Sequence, residues 1–565
     1  MEYTSENRIC QNCKKEFTIE PDDFGFYEKI KVPPPTFCPE CRFQRRLLFR
    51  NERNYYKRKC DLCEKEIIAS YPGNVPFPVY CVKCWWSDKW DPKSYGVDFN
   101  FARPFFEQYN ELQNRVPVLS IQNDDGIGSV NSEWSYDWAF SKNCYLGACG
   151  WHVENGAYMY NANYDKEVID VWSVSNSELV YEGVNCDHCY NVKYCTLCFD
   201  SNNCILGFDL RGCSNCIMCV GLRSAQYCIF NQRYLKEEYE QKVKELNLGS
   251  RKSLEAHMKK FQDLILKIPK KFAYNLKTVN STGNNLIEVK RSKECFYVIG
   301  PTENSRFVVI NDRAKDCYDI NNTGNPELCY ESITPDNSRG NKFTIFCWKC
   351  VEAEYSNNCH SCVSVFGSTA LKHASYVIFN KQYSKEEYIS LRTQIIKHMK
   401  NTGEWGEFFS HTISPFAYNE TAALEWFPIA KEKAITQGYR WKENEKRNYI
   451  PTKTSTEVPD TIQEVGDTFV NEIIECTHKG KCDERCTEAF RIIPRELSIY
   501  RKMGIPLPVM CPNCRHYQRF RIKNPPKLWH RKCMKEGCNN EFETSYAPDR
   551  PEIVYCERCY QSEVY

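Results

Sequence analysis

The cysteines of this chain are the residues whose number and spacing imply chemistry. There are 35 of them among 565 residues. Toward one end, Cys10-x2-Cys13, Cys38-x2-Cys41, Cys60-x2-Cys63 and Cys81-x2-Cys84 are separated by 24, 18 and 17 residues. Toward the other, Cys482-x3-Cys486, Cys511-x2-Cys514, Cys533-x4-Cys538 and Cys556-x2-Cys559 are separated by the same 24, 18 and 17. The surrounding text repeats too, PPPTFCPECRFQRR against PLPVMCPNCRHYQR and VYCVKCWW against VYCERCYQ, so one module pair is duplicated.

A CxxC turn points two thiolates at one spot, and two such knuckles close a tetrahedral site. The spacing therefore predicts four structural Zn2+ ions held by these sixteen cysteines. Four thiolates leave no open position for water, which excludes a catalytic ion at these places. Iron–sulfur clusters use the same donors, but the long regular separations fit zinc ribbons or treble clefs better. In ECTHKGKCDERC, Cys476 is a third candidate for two ligand places; the interval match selects Cys482 and Cys486, although Cys476 could displace Cys482.

So many cysteines could instead form an extracellular disulfide framework. The opening MEYTSENRICQNC has no basic segment followed by an apolar run, and no stretch of about 18 apolar residues occurs, so neither a secretory signal nor a membrane span is expected. The expectation is a cytoplasmic metal protein. Lys plus Arg (75) nearly balances Asp plus Glu (73), so any electrostatic recognition must come from local patches.

Two such patches bridge the paired sites. Residues 42–59 carry Arg42, Arg45, Arg46, Arg50, Arg53, Lys57, Arg58 and Lys59 against one acid, Glu52. Residues 515–532 carry Arg515, Arg519, Arg521, Lys523, Lys527, Arg531 and Lys532 against none. Guanidinium groups interleaved with Phe, Tyr and Trp suit nucleic acid, pairing with phosphates while the rings stack on bases. Arg42, Arg45, Arg46, Arg50, Arg53, Arg58, Arg515, Arg519, Arg521, Lys523 and Arg531 are accordingly the candidate contacts for nucleic acid or a ribonucleoprotein. Two plainer readings compete: arginine stems covering small metal-site cores, or an acidic protein partner.

The elements that must position these modules lie between them. YCIFNQRYLKEEYEQ (227–241) recurs as YVIFNKQYSKEEYIS (376–390), 149 residues later, and KFAYN recurs as PFAYN. Short apolar alternations broken by Asn, Ser, Asp and Gly, with Cys204, Cys216 and Cys228 at twelve-residue intervals, predict stacked short strands in a β-solenoid. Cys359 and Cys362 match Cys213 and Cys216 if a three-residue insertion is allowed. Cysteine suits the narrow inside of such a stack, and Cys228 faces Val377 in the repeat. The pairs Cys186/Cys189, Cys195/Cys198, Cys213/Cys216 and Cys347/Cys350 could alternatively hold further zinc.

Helical periodicity follows each copy, from about Lys236 to Lys267 and from Ser384, a candidate N-cap, to Lys400. The division expected is a mainly β chain: tandem zinc modules (1–95), a connector (96–140), two solenoid-like repeats with helices (141–290 and 291–440), a linker (441–474) and the duplicate zinc pair (475–565).

The segments CRFQRRLLFRN, NCYLGACG, YCIFNQRYLKEEY, KLWHRKC and SYAPDRPEIVYCERCY resemble a group of uncharacterised cysteine-rich, zinc-ribbon-ended proteins from candidate-phyla bacteria, over nearly the whole length. Each end also resembles a small zinc-ribbon family with the pattern CxxC-KxF…FY…P…CxxCR, matched by Cys10, Cys13, Lys15, Phe17, Phe26, Tyr27, Pro35, Cys38, Cys41 and Arg42. The resemblance implies the zinc ligands and a bacterial origin, and no mechanism. The x3 and x4 knuckles at Cys482 and Cys533 depart from the pattern.

A Gly-rich phosphate loop, a nucleophile elbow and HExxH are all missing. Cys359-His360 is the nearest thing to a catalytic constellation and reads as a coil corner. The sequence thus points to a zinc-binding protein that grips nucleic acid or a ribonucleoprotein through its basic ends, without catalysis. The alternative is a protein-interaction scaffold, self-assembling or not.

Overall fold

The computed structural model describes residues 3–123, 128–443 and 450–564. Residues 444–449, inside the expected linker, and 124–127, inside the expected connector, lie outside these. The fold is mainly β, with cysteine clusters at both ends and two parallel sheets between them.

In the first sheet each strand pairs in parallel with the segment twelve residues onward. One ladder runs Tyr136, Ala148, Tyr160, Trp172, Val184, Thr196, Phe208, Val220. The second sheet repeats this through Arg306, Tyr318, Tyr330, Lys342, Glu354, Phe366 and Ile378. Within each twelve, almost every third residue takes a left-handed backbone, as in Asn155, Tyr158, Asn161 and Tyr164. Left-handed corners cost most side chains about 1–2 kcal/mol but favour Asn and Asp, whose short polar groups bond locally. This explains the Asn and Asp richness of the centre.

The residue just after each corner points inward. In the first stack these positions include Val168, Val171, Val174, Val180, Cys186, Cys189, Val192, Cys195 and Cys198, all buried. Most of these side chains are small or compact, as so tight a turn requires, with Met159 and Leu210 among the larger ones. Trp138 is accommodated because Gly150 faces it; a Cβ there would sit 2.0 Å from the indole. Apart from Cys149, which stands at a left-handed corner beside Arg50, the central cysteines are thiol fillers bonded to main-chain carbonyls, for example Cys186 Sγ to Val184 O at 3.6 Å. Cys228 and Val377 occupy equivalent inward places, both buried.

The expected three-residue insertion is corrected. A constant offset of 149 sets Cys213 against Cys362, and the irregularities found are of one residue each: a turn one short where Asn275 pairs with Leu286, and one extra residue near Gly300, where Phe296 pairs with Val309. Each stack closes with an antiparallel turn, whose successive residues Phe230 and Asn231, or Phe379 and Asn380, have positive φ. Two successive left-handed residues make a tight hairpin, which is why the IFN text recurs. Helices Lys236–Leu246 and Arg251–Lys267 follow the first stack and Lys385–Asn401 the second, where the Ser384 hydroxyl accepts from Glu387 N. Among the described residues no helix is long and apolar enough to cross a membrane.

The ends cross over. The helix Pro39–Leu47 packs on the second stack, while Pro512–Ile522 packs on the first.

Candidate metal centres

Each terminal module is a short antiparallel hairpin followed by a helix. Glu6–Ile9 pairs with Glu16–Ile19, Tyr56–Lys59 with Glu66–Ala69, Ile474–Glu475 with Ala489–Phe490, and Trp529–Lys532 with Glu541–Thr544. The hairpin tip carries the first two cysteines. The third stands at or just before the start of a helix, as Cys38 and Cys511 do at the N-caps of Pro39–Leu47 and Pro512–Ile522.

Four groups of cysteine sulfurs, each within 4.8 Å of one another, result: Cys10/13/38/41, Cys60/63/81/84, Cys476/486/511/514 and Cys533/538/556/559. Sulfur separations of 3.7 Å (Cys13–Cys38), 4.0 Å (Cys63–Cys81), 3.9 Å (Cys486–Cys511) and 4.0 Å (Cys538–Cys556) are far beyond a disulfide. They match the edge, about 3.8 Å, of a tetrahedron whose centre lies about 2.3 Å from each sulfur. The donor set and its geometry therefore fit a four-coordinate metal ion.

Twelve of the sixteen expected ligands fall together as expected, as do Cys486, Cys511 and Cys514. The expectation for Cys482 is corrected: Cys476 takes that place. In every module the third ligand's N–H donates to the first ligand's sulfur: Cys38 to Cys10 and Cys81 to Cys60 at 3.2 Å, Cys511 to Cys476 and Cys556 to Cys533 at 3.3 Å. Cys476 alone makes this bond in the third module. The residues between Cys476 and Cys486 form an enlarged hairpin tip, and Cys482 rides on it beside the cluster.

Most of the arginines expected to face nucleic acid turn inward instead, while Lys57, Lys59, Arg521, Lys527 and Lys532 of the same bridges are exposed. Arg42 Nε lies 2.9 Å from Asp319, Arg46 Nη1 lies 3.2 Å from Asp319 and 3.4 Å from Glu331, and Arg45 reaches Glu331 at 2.8 Å and Glu407 at 3.1 Å. Arg515 lies 2.8 Å from Asp170, and Arg519 lies 2.9 Å from both Asp170 and Glu182. Arg42, Arg46, Arg50, Arg515 and Arg519 are all 2% exposed or less. Burial is the largest single influence on Arg42 and opposes its charge, but Asp319, Tyr27 and Tyr330 together outweigh it and raise the guanidinium pKa well above its ordinary value.

The other expected contacts are engaged as well. Arg50 bonds Glu52, Asp137 and Thr334; Arg53 bonds Glu425 and His516; Arg58 bonds Asp61. Lys523 is buried against the Trp426 and Phe520 rings, and Arg531 donates to the Tyr546 and Ala547 carbonyls. Arg521 is the one of the eleven whose side chain is mostly exposed, at 61%, and it pairs with Glu484.

Sequence reasoning missed the acceptors. Asp170 and Asp319, like Glu182 and Glu331, are 149 residues apart, at left-handed corners of equivalent turns. That duplicated Asp-x11-Glu was the available signal. Cys359-His360 is also a docking feature: His360 is packed against Trp85, Trp86 and Trp348, and burial, then Lys372, lowers its pKa to about 3.

Glu496 supplies a pH-dependent element of the C-terminal contact. It accepts from Ile493 N, Tyr500 and Tyr158, yet burial, partly offset by Arg515, raises its carboxyl from 4.5 to about 7. A raised carboxyl pKa means that the folded state holds its proton longer than the unfolded chain. This contribution is favourable at acid pH and is lost as pH rises from about 4.5 to 7. Glu496→Gln should gain on wild type across that window, by on the order of 2 kcal/mol. Paired urea titrations at pH 5 and 7.5 check this; an unchanged difference refutes it.

The packing on the two stacks differs at one place in particular. Between the first stack, Arg251–Lys267 and the docked C-terminal part lies a cavity of about 620 Å³ lined by Leu197, Leu206, Phe208, Met258, Phe261 and Arg519, among others. In the second stack the counterparts of Leu197 and Leu206 are Phe346 and Tyr355, and Phe105, Trp405 and Phe409 pack against Tyr355.

No family model matches the chain, and no curated protein matches it. Among solved structures it is similar to a Desulfovibrio desulfuricans G20 protein provisionally described as an acetyltransferase, 9% identical over 46% of this chain and 69% of that one. The TM-score of 0.10 is too low to carry an argument.

Proposed function

We propose that this chain is a zinc-stabilised protein-interaction scaffold. Four treble-clef or zinc-ribbon modules, each closed by a Zn2+ ion, clamp two twelve-residue-coil β-solenoids into one platform. Zinc is the metal best suited to four thiolates in a tetrahedron without redox demands. The observation that carries the scaffold reading is the inward direction of most of the arginines: cations buried and already paired with carboxylates are not presented to phosphate. This favours the protein-binding alternative over nucleic acid, in a cytoplasmic setting that keeps thiols reduced.

The partner's place is the cavity of the first half. The second half supplies the analogy, since its equivalent position receives Phe105 from the helix Phe105–Gln113. A partner presenting an aromatic-bearing helix would complete the first half likewise. Leu197→Phe with Leu206→Tyr installs the second half's own residues in the cavity wall and should obstruct entry of a partner helix while leaving the fold intact. Nuclease-treated pull-downs then compare this variant with wild type. A bound protein lost on filling the cavity is the expected result. Capture of RNA or DNA that disappears with nuclease, with no protein remaining, overturns the scaffold in favour of nucleic acid.

A further inference from the structure

The enlarged hairpin tip between Cys476 and Cys486 carries three residues that no other module has at this place: His478, Cys482 and Glu484. They converge on one member of the adjacent cluster. His478, Cys482, Glu484 and Cys514 place ligand atoms within 4.8 Å of one another, and Cys482 Sγ is 3.7 Å from Cys514 Sγ. Cys514 already belongs to the group Cys476/486/511/514. We propose that this module holds two metal ions bridged by the Cys514 thiolate, the second bound by His478, Cys482 and Glu484.

Three observations carry this. First, the Cys482–Cys514 separation is the tetrahedral edge seen within the four-thiolate groups, so the tip sulfur is placed as a ligand and not merely packed. Second, Glu484 is 4% exposed, and its Oε2 and the His478 Nδ1 are both buried without a hydrogen bond although only 3.0 Å apart. An imidazole N–H directed at a carboxylate would satisfy both atoms. The two atoms stand at ion-pair distance without hydrogen-bond alignment, and beside two sulfurs that approach also suits neighbours on a common ion. Third, the other carboxylate oxygen, Oε1, accepts from Arg521 Nη1 at 2.5 Å. Carboxylate ligands are commonly oriented by such an outer partner. Arg521 thereby has a role that its exposure alone does not suggest.

The donor set of one imidazole, one carboxylate, one terminal thiolate and one shared thiolate is mixed, and it suits Zn2+ or another borderline divalent ion. The first ion keeps its four sulfurs. The second has an imidazole and a carboxylate in place of two thiolates, shares one of its remaining two, and binds more weakly.

The inference rests on the four-thiolate reading, and metal counting separates the two. Native mass spectrometry of the intact zinc-loaded chain should give five ions. His478→Ala with Cys482→Ser should give four, with unchanged circular dichroism, because the tip lies outside the first ion's shell. Loading with 113Cd2+ should give five resonances in wild type, one of mixed donor character coupled through Cys514 to a four-sulfur neighbour. Four ions in wild type and in the variant overturn the second ion and leave the four-thiolate sites standing. Fewer than four ions in wild type defeats the underlying reading instead. A variant that retains five ions also overturns the assignment.

Discussion

Exhaustive chelation should melt both ends of the chain while the stacked centre keeps its sheet. The hairpins at the ends have strands of two to four residues, and the helix Pro39–Leu47 has nine. Neither is stable alone in water, where two-stranded hairpins are marginal and helices shorter than about 12 residues rarely persist. On the proposed reading a bound ion holds them, worth about 10–16 kcal/mol of apparent folding free energy per site at neutral pH. Hydrogen exchange before and after chelation is the measurement. Protection should vanish across 6–86 and 474–564 and persist in the ladder from Val168 to Val220. Single-ligand changes should localise the loss: Cys476→Ser should unfold the third module, whereas Cys482→Ser should not. Retained protection at both ends after the metal is gone would refute the metal's structural role.

Asp319→Ala and Asp170→Ala should each destabilise the chain by about 3–5 kcal/mol, the usual cost of stranding a buried charge. Asp319 serves Arg42 and Arg46, and Asp170 serves Arg515 and Arg519, all inaccessible to water. The same reasoning separates loss of a partner from the worth of the pair. Asp319→Leu combined with Arg42→Met and Arg46→Met removes all three charges and should be far milder, since apolar replacement of a buried ion cluster is often neutral. Urea midpoints for the single and triple variants decide the matter. Equal losses would mean that shape, not charge, holds the module down. Charge reversal at Arg45, Arg46 and Arg519 is for this reason a poor test of nucleic-acid binding, because the altered chain would lose its docking before meeting any ligand.

Ligand chemistry was the most readable part of the sequence, because a thiolate knuckle needs its cysteines a fixed few residues apart wherever it occurs. The third module broke the rule at a hairpin tip, the one place where added residues cost little, so equal intervals chose Cys482 over Cys476. The basic bridges were legible as charge but not as direction. Whether Arg42 meets water or Asp319 depends on a residue 277 positions away, and no local pattern encodes that. The twelve-residue interval showed in Cys204, Cys216 and Cys228, and the parallel registers have that spacing. The finer step of three stayed hidden, because inward places filled by Gly, Ser, Cys, Val or Thr share smallness and not hydrophobicity.

The crossed docking sets an order of assembly during synthesis. The first stack emerges from the ribosome long before its cover: Tyr158 waits for Glu496, 338 residues later. Over that interval its row of buried-to-be carboxylates and aromatic faces stands bare, in the configuration that attracts aggregation or chaperones. The opening segment faces the mirror-image delay, standing finished while its own landing surface is still being translated. An interrupted chain is therefore stranded with one half uncovered, and the molecule acquires its finished surface only as its last modules arrive.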